Sequence, residues 1–359
     1  MVRRPPRTKL RDVARSLGVS IATVSNAFNR PDQLSEPLRV HILKRAEELG
    51  YRGPGAEGRL LRTGHAGAIA LYQREPLGYA MTDPHAVAFL DGVASACQDR
   101  QIGLLLLPAI PRERGEGGRL PAAIDVAAVD GFILYCLVDG DPAIARVLDR
   151  ARPVVGVDMN AAEGLVTVGM DDRGAAYTVM QHLLHLSSPL NSEDARAVGI
   201  ISLPLDLRRR DGSTTPDALN RAAFPVTRWR WQGYAAALTD ADVELETVPL
   251  EVAAVNARDD GRQAAGRLLD RPNPPSLIAA MTDTLALGVL DACRERSLAV
   301  PEAVAIIGID DIPAAETADL TTIRQDAFVK GRSAVDVLLS DDALDPVTLP
   351  YELAVRGTA

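Results

Sequence analysis

Apolar positions in the first fifty residues recur at helical spacing, whereas from Gly67 onward they gather into short continuous runs separated by amphipathic stretches. Leu10, Val13, Ala14 and Leu17 fall at i, i+3, i+4 and i+7, with Thr8 placed to cap this first helix and Gly18 to stop it. Ser20 caps a second helix in which Val24, Ala27 and Phe28 turn inward, leaving Ile21, Ala22, Thr23, Ser25 and Asn26 outward. A third helix is predicted from Ser35, with Pro37 in its first turn, through Leu38, Ile42, Leu43, Ala46 and Leu49 to Gly50. The link Gly18-Val19-Ser20 allows only a sharp corner, so the first two helices form a helix-turn-helix. Small and polar outer residues on the second helix suit close approach to base edges in a DNA major groove.

Seven apolar runs in the body read as buried parallel strands: AIALY (68–72), IGLLLL (102–107), GFILYC (131–136), PVVGV (153–157), AVGIIS (197–202), SLIAAM (276–281) and VAIIGI (304–309). Helical stretches at 86–100, 173–186, 230–239, 260–269 and 284–296 separate them. This rhythm predicts an open doubly wound α/β architecture long enough for two lobes. Ligands in such sheets sit at the carboxyl ends of the strands.

Composition narrows the class. A chain of 359 residues, 47% hydrophobic and 24% charged, is neither a disordered tail nor a disulfide-stapled miniprotein. Cys97, Cys136 and Cys293 are odd in number and far apart, which fits a reducing, cytoplasmic setting. No apolar run reaches the roughly 18 residues of a membrane span, and no export signal is expected. The net charge of -9 conceals an asymmetry. Residues 1–62 hold 13 Lys and Arg against 6 Asp and Glu, or +7, so the remainder carries -16. A basic head on an acidic body points to two kinds of partner.

The segment LRDVARSLGVSIATVSNAFN, followed by a helix ending AEELGY, resembles the DNA-binding head of the lactose-repressor (LacI/GalR) family of bacterial transcription regulators. The match runs over more than forty residues, with the D-V-A, G-V-S, T-V-S and L-G-Y elements in order. The resemblance implies that Ile21 and Ala22 read bases. Asn26 stands where many members carry an arginine aimed at guanine, and Asn instead prefers a bidentate pairing with adenine. Thr8, Ser20, Thr23, Ser25 and Asn29 are expected to contact phosphates, fixing register without reading sequence.

Between Tyr51 and Gly67 lies a literal G-x-G-x-x-G at Gly53, Gly55 and Gly58. A dinucleotide fingerprint must follow a strand and open a helix; here a helix precedes it and Pro54 interrupts it. The stretch instead resembles the family's hinge helix, with Leu61 aligned to the leucine that wedges into a base step. Gly55 and Gly58 each raise the cost of forming that helix by about 1 kcal/mol relative to Ala.

Over the body, DDRGAA (171–176), WQGYAAAL (231–238), residues 281–312 and LTTIRQD (320–326) resemble the landmarks of the family's core, itself similar to two-lobed periplasmic sugar-binding proteins. Residues 187–196 and 204–227 are longer and more polar than usual, and the run Arg208-Arg209-Arg210 reads as a solvated face. Polar residues at strand ends mark a candidate effector cleft: Tyr135, Asp158, Thr282, Asp283, Asp310 and Gln325, with Arg230 at a helix start. The family's matching positions touch effector, and Asp with Arg and Gln suits a neutral polyol or sugar. Asp283 has a second reading as a helix cap, Asp311 reads as structural, and Trp229 and Trp231 read either as stacking faces or as packing. The loop from Arg74 to His85 is expected to close the first lobe over the ligand.

No G-x-S-x-G, P-loop or H-E-x-x-H occurs, and the pair His182 and His185 lacks a third ligand nearby. No enzyme, cofactor or metal is therefore expected. The expected organisation is α/β: a three-helix helix-turn-helix domain over 1–52, a hinge over 53–64, and a two-lobed periplasmic-binding-protein-like core of doubly wound parallel sheets over 65–359. Its N-lobe is expected at about 65–168 and 325–340, its C-lobe at about 169–324 and 341–359. The expected function is a cytoplasmic homodimeric repressor of a palindromic operator, under allosteric control by a sugar-like or nucleoside-like effector. A transporter's solute-binding protein is the alternative, and it leaves the first 62 residues unexplained.

Overall fold

The computed structural model describes residues 8–51, 64–108, 123–186, 197–340, 342 and 345–359. The chain divides into two compact units, one up to Gly67 and one from Ala68 onward.

In the first unit, helices α1 (Leu10–Leu17), α2 (Ile21–Asn29) and α3 (Glu36–Glu48) enclose a small core of Val13, Ala14, Val24, Ala27, Ile42 and Ala46. Phe28 and Tyr51 close it edge to face, with ring centroids 5.5 Å apart. Gly18 takes the left-handed conformation (φ 66°) that ends α1 and turns the chain into α2. Ser20 caps α2 as expected, its Oγ accepting the Thr23 N–H at 3.0 Å. Thr8 departs from expectation. Lys9 occupies the cap position of α1, and the Thr8 hydroxyl donates to the Leu49 carbonyl at 2.7 Å, tying the start of the head to the end of α3.

The second unit contains two sheets. In the first, the order is β12-β5-β4-β3-β1-β2, all parallel, from β1 (Ala68–Gln73), β2 (Gly103–Pro108), β3 (Phe132–Tyr135), β4 (Val154–Val157), β5 (Val166–Met170) and β12 (Val347–Leu349). In the second, the order is β13-β11-β10-β9-β6-β8-β7, from β6 (Val198–Ser202), β7 (Gly212–Ser213), β8 (Leu250–Val252), β9 (Leu277–Ala280), β10 (Ala305–Asp310), β11 (Thr321–Arg324) and β13 (Glu352–Ala354). Among the described strands only the edge strands β7 and β13 run antiparallel. The seven apolar runs account for β1, β2, β3, β4, β6, β9 and β10; helices cover both faces, so those strands needed no alternation.

Helices α4 (Pro84–Asp99), α5 (Asp172–His185), α6 (Pro225–Asp240), α7 (Arg258–Leu269), α8 (Asp283–Glu295) and α9 (Ala327–Leu338) pack in pairs on these sheets. Helix α9 returns to the first sheet and lies against α4, where a Cβ on Gly92 or Gly331 would strike the backbone of Phe328 or Phe89. That close approach needs glycine on both helices.

The lobe boundaries differ from the sequence reading at the C-terminus. β12 joins the first sheet and only β13 joins the second, so the last crossing falls near residue 350 rather than 341. Strand β5 likewise extends the first lobe to Met170. Both strands are short, and pairing partners rather than local pattern decide which sheet they join.

Candidate functional site

The carboxyl ends of β1, β3, β4 and β10 point into one cleft between the two sheets of the core, with a volume of about 150 Å³. Gln73, Tyr135, Cys136, Asp158, Thr282, Asp310 and Arg230 line it with an apolar wall that includes Leu203, Phe224 and Val226. Cys136 (φ 51°), Asp158 (φ 51°), Asp310 (φ 131°) and Asp311 (φ 54°) hold positive φ at these strand ends. Such conformations are uncommon for residues bearing a Cβ and concentrate where a site is shaped by the surrounding fold.

Arg230 lies in the second turn of α6, which begins at Pro225 rather than at Arg230 itself. Its Nε donates to Asp172 Oδ1 at 2.7 Å, one terminal nitrogen donates to the Met281 carbonyl, and the other lies 3.5 Å from Asp310 Oδ1. Burial opposes its charge, but Asp172 and Asp310 outweigh that and hold the guanidinium above its usual pKa. Asp310 is pushed well above the usual carboxylate range by burial, against which Arg230 and the Gln325 amide act only in part. His85 packs with its Nδ1 3.9 Å from Asp310 Oδ1. Burial, then Lys330 and Arg230, drive its pKa well below the ordinary value, so the imidazole is neutral.

Five of the seven expected effector residues, Tyr135, Asp158, Arg230, Thr282 and Asp310, line this cleft. The other two do not. Asp283 opens α8 beneath the cleft floor, where its carboxylate accepts from the Ile312 N–H at 3.0 Å and the Thr322 hydroxyl at 2.5 Å. A carboxylate consumed by the fold in this way leaves nothing to offer a ligand, and Gly308 supplies the space it occupies. Gln325 is buried behind Asp310: its Nε2 donates to Asp310 Oδ1 at 2.6 Å and its Oε1 accepts from Lys330 Nζ at 2.7 Å. It positions both groups rather than facing the cavity. Tyr135 stacks on Phe89, with centroids 4.2 Å apart and planes 9° from parallel. Trp231 is fully buried in the second lobe's core, and neither it nor Trp229 lines the cleft.

The sequence reading missed Lys330, Gln73, Asp83, His85 and Asn256. Lys330 could have been found: it falls on the apolar face of α9 with Ala327, Ala334 and Leu338, where a lone lysine requires a buried partner. Gln73 ends β1 and is buried, with no hydrogen-bond partner for its Nε2 among the described residues. Asp83 caps α4 and accepts from Asn256 Nδ2 at 3.1 Å, while Thr282 donates to Asn256 Oδ1 at 2.6 Å. This chain joins the first lobe to the second across the cleft. Asp139 makes another such link, accepting from Arg228 at 2.8 Å.

In the head, Ile21 and Ala22 are exposed at the start of α2. Asn26 donates from its amide to Gln33 Oε1 at 3.1 Å. Thr23 and Ser20 share a 2.8 Å contact between their hydroxyls, and Asn29 folds back to donate to the Ser25 carbonyl at 2.9 Å and to the Ser25 hydroxyl at 3.2 Å. Leu61 and residues 53–63 of the expected hinge lie outside the described residues.

Residues 9–53 match the bacterial regulatory proteins of the lacI family, and residues 218–359 match the periplasmic binding protein-like domain. The HTH-type transcriptional regulator IpsA of Corynebacterium glutamicum is 36% identical over 331 residues, covering 92% of this chain and 90% of that protein. This chain belongs to the LacI family. The HTH-type transcriptional regulator Rv3575c of Mycobacterium tuberculosis is also 36% identical, over 93% of this chain and 90% of its own length. Among solved structures, a LacI-family regulator from Corynebacterium glutamicum is similar with a TM-score of 0.72 and 30% identity, covering 99% of both chains. The fold is also that of the lac repressor dimer bound to operator and the anti-inducer ONPF, with a TM-score of 0.77 at 20% identity over 98% of this chain and 99% of that one. As a LacI-family member the protein is a transcriptional regulator with a DNA-binding head and an effector-binding core, and not an enzyme.

Proposed function

We propose that the protein is a homodimeric repressor that binds a near-palindromic operator in the cytoplasm and responds to a small, uncharged, hydroxyl-rich effector held in the cleft. The observation that carries the effector class is the state of the charges facing the cavity. Arg209 and Arg230 are engaged by Glu75 and by Asp172 with Asp310 respectively, and behind the lining Lys330 is held by Asp158. A phosphorylated ligand would need a cation withdrawn from one of these carboxylates. A polyol needs only what the cleft offers: a donor at Gln73 Nε2 and an acceptor at Asp310. The cavity is of monosaccharide size.

In the head, Ile21, Ala22 and Asn26 are assigned to base reading, and Ser20, Thr23 and Ser25 to phosphates. Thr8 and Asn29 have donors directed at Leu49 and Ser25, so their phosphate role requires those bonds to exchange. One recognition helix covers one half-site, which makes a dimer the functional unit, with half-sites about 34 Å or a multiple apart. Effector and operator then alter each other's affinity reciprocally.

The test is selection of bound sequences from random DNA, followed by band shifts with salt titration. A palindromic consensus bound far better than random DNA, and a thermal shift by neutral monosaccharides or cyclitols but not by their phosphates, is expected. Binding to all DNA alike would overturn the regulator reading, and a response confined to sugar phosphates or nucleosides would overturn the effector class.

A further inference from the structure

The run Arg208-Arg209-Arg210 is not simply a solvated face. Arg209 lines the cleft and forms an ion pair with Glu75 of the opposite lobe. The segment presenting it is tied down at both ends. On one side the Leu205 carbonyl accepts from the Ala223 N–H at 2.7 Å and the Pro204 carbonyl accepts from the Thr227 hydroxyl at 3.0 Å. On the other, β7 pairs with β8, and the Ser213 hydroxyl donates to Glu251 Oε1 at 2.6 Å. Between these anchors Arg209 adopts φ 52°, which turns the chain at that point. Leu203 and Pro204 of the same segment also line the cleft.

We propose that residues 203–213 form a strap across the cleft and that Glu75 with Arg209 is its gate, a specificity-determining pair that limits the size of molecule able to reach the effector site. The inference rests on the reading of the cleft as that site. The pair is partly exposed, with side chains 26% and 28% accessible, so its attraction is modest and the mouth it closes is able to open. An anchored strap paired to the other lobe couples entry to the relative position of the two lobes. Glu75 contributes from the segment 74–83, so both lobes control access.

Cys136 lines the cleft, whereas Cys97 and Cys293 are buried elsewhere, which makes thiol labelling a direct reading of the gate. The full-length protein is treated with N-ethylmaleimide and with a bulky uncharged maleimide, and the labelled cysteine is identified by peptide mass spectrometry. Arg209→Ala and Glu75→Ala are each expected to speed labelling of Cys136 by the bulky reagent about fivefold, with a smaller effect for the small one. The exchanged pair Glu75→Arg with Arg209→Glu restores the slow rate. Unchanged rates in both single variants, or a fast exchanged pair, overturn the gate. Should a variant unfold, Cys97 and Cys293 react too, and the unaltered protein then decides. Its Cys136 rate rises with sodium chloride if an ion pair closes the mouth and stays flat if none does. Intact operator binding alongside unchanged labelling would remove the gate alone and leave the regulator reading standing.

Discussion

Lys330 Nζ lies 2.9 Å from both carboxylate oxygens of Asp158, although 172 positions separate the two residues in the chain. Both are buried, and Gln325 holds the ammonium from a third side at 2.7 Å. The pair fastens the returning helix α9 to the end of β4 and through Gln325 orients Asp310. Removing one partner strands the other charge, so Lys330→Met is expected to lower stability by about 3 kcal/mol, with Lys330→Met plus Asp158→Leu recovering part of the loss. Urea unfolding of the full chain measures this; a single variant as stable as wild type would contradict it.

Arg230 serves the fold and the cleft together. Arg230→Ala leaves Asp172 and Asp310 buried without their cation and is expected to abolish the thermal shift given by any polyol that stabilises wild type, at a cost of about 3 kcal/mol. Asp310→Asn should lose the shift with less damage, because it keeps the shape. Operator band shifts in the cold are expected to persist in both. A variant that keeps the full ligand response removes that residue from the site.

Gln73 presents the opposite balance. Its buried Nε2 has no hydrogen-bond partner among the described residues, a condition that costs about 1–3 kcal/mol. Gln73→Leu is therefore expected to leave the protein as stable as wild type or more so while weakening effector binding at least tenfold. Calorimetric titration alongside thermal melting separates the two effects, and an unaltered affinity would exclude Gln73 from ligand contact.

The carboxyl of Asp283 is raised by burial to about 7, with the Thr322 hydroxyl and Ile312 N–H opposing the shift. Its proton is kept in the folded chain but lost from the unfolded one above the ordinary value of 3.8. The stabilisation is complete below that value and disappears as pH rises through about 7. Stability of wild type relative to Asp283→Asn is expected to fall between pH 5 and 7 by roughly 1 kcal/mol per pH unit and to level off above pH 8. Parallel stability curves for the two proteins would show that Asp283 does not titrate there.

Asn26 faces outward from α2 with its amide steadied by Gln33. Asn26→Arg should move the preferred base at one position of each half-site from adenine to guanine, by about 1–3 kcal/mol. An unchanged consensus after repeated selection would leave Asn26 without a reading role.

Local order was legible in the chain itself. The helical spacing of Leu10, Val13, Ala14 and Leu17, the cap at Ser20, the apolar runs of the parallel strands and the charge division between head and body each follow from neighbouring residues. Together with the resemblance of the head's motifs to the LacI family, they pointed to a DNA-reading head on a two-lobed α/β core. Strand ends also located Tyr135, Asp158, Thr282 and Asp310 at the cleft, since parallel sheets place ligands there. Only the tertiary structure decided which polar groups remain available to a ligand. Asp283 and Gln325 have the right chemistry but spend it on Thr322, Ile312, Asp310 and Lys330. Arg209, which by pattern belonged to a solvated run, is turned across the cleft to Glu75. A side chain's hydrogen-bonding capacity is written in its type, but whether that capacity is already used depends on partners brought close by pairings between distant segments. No spacing along the chain encodes those pairings.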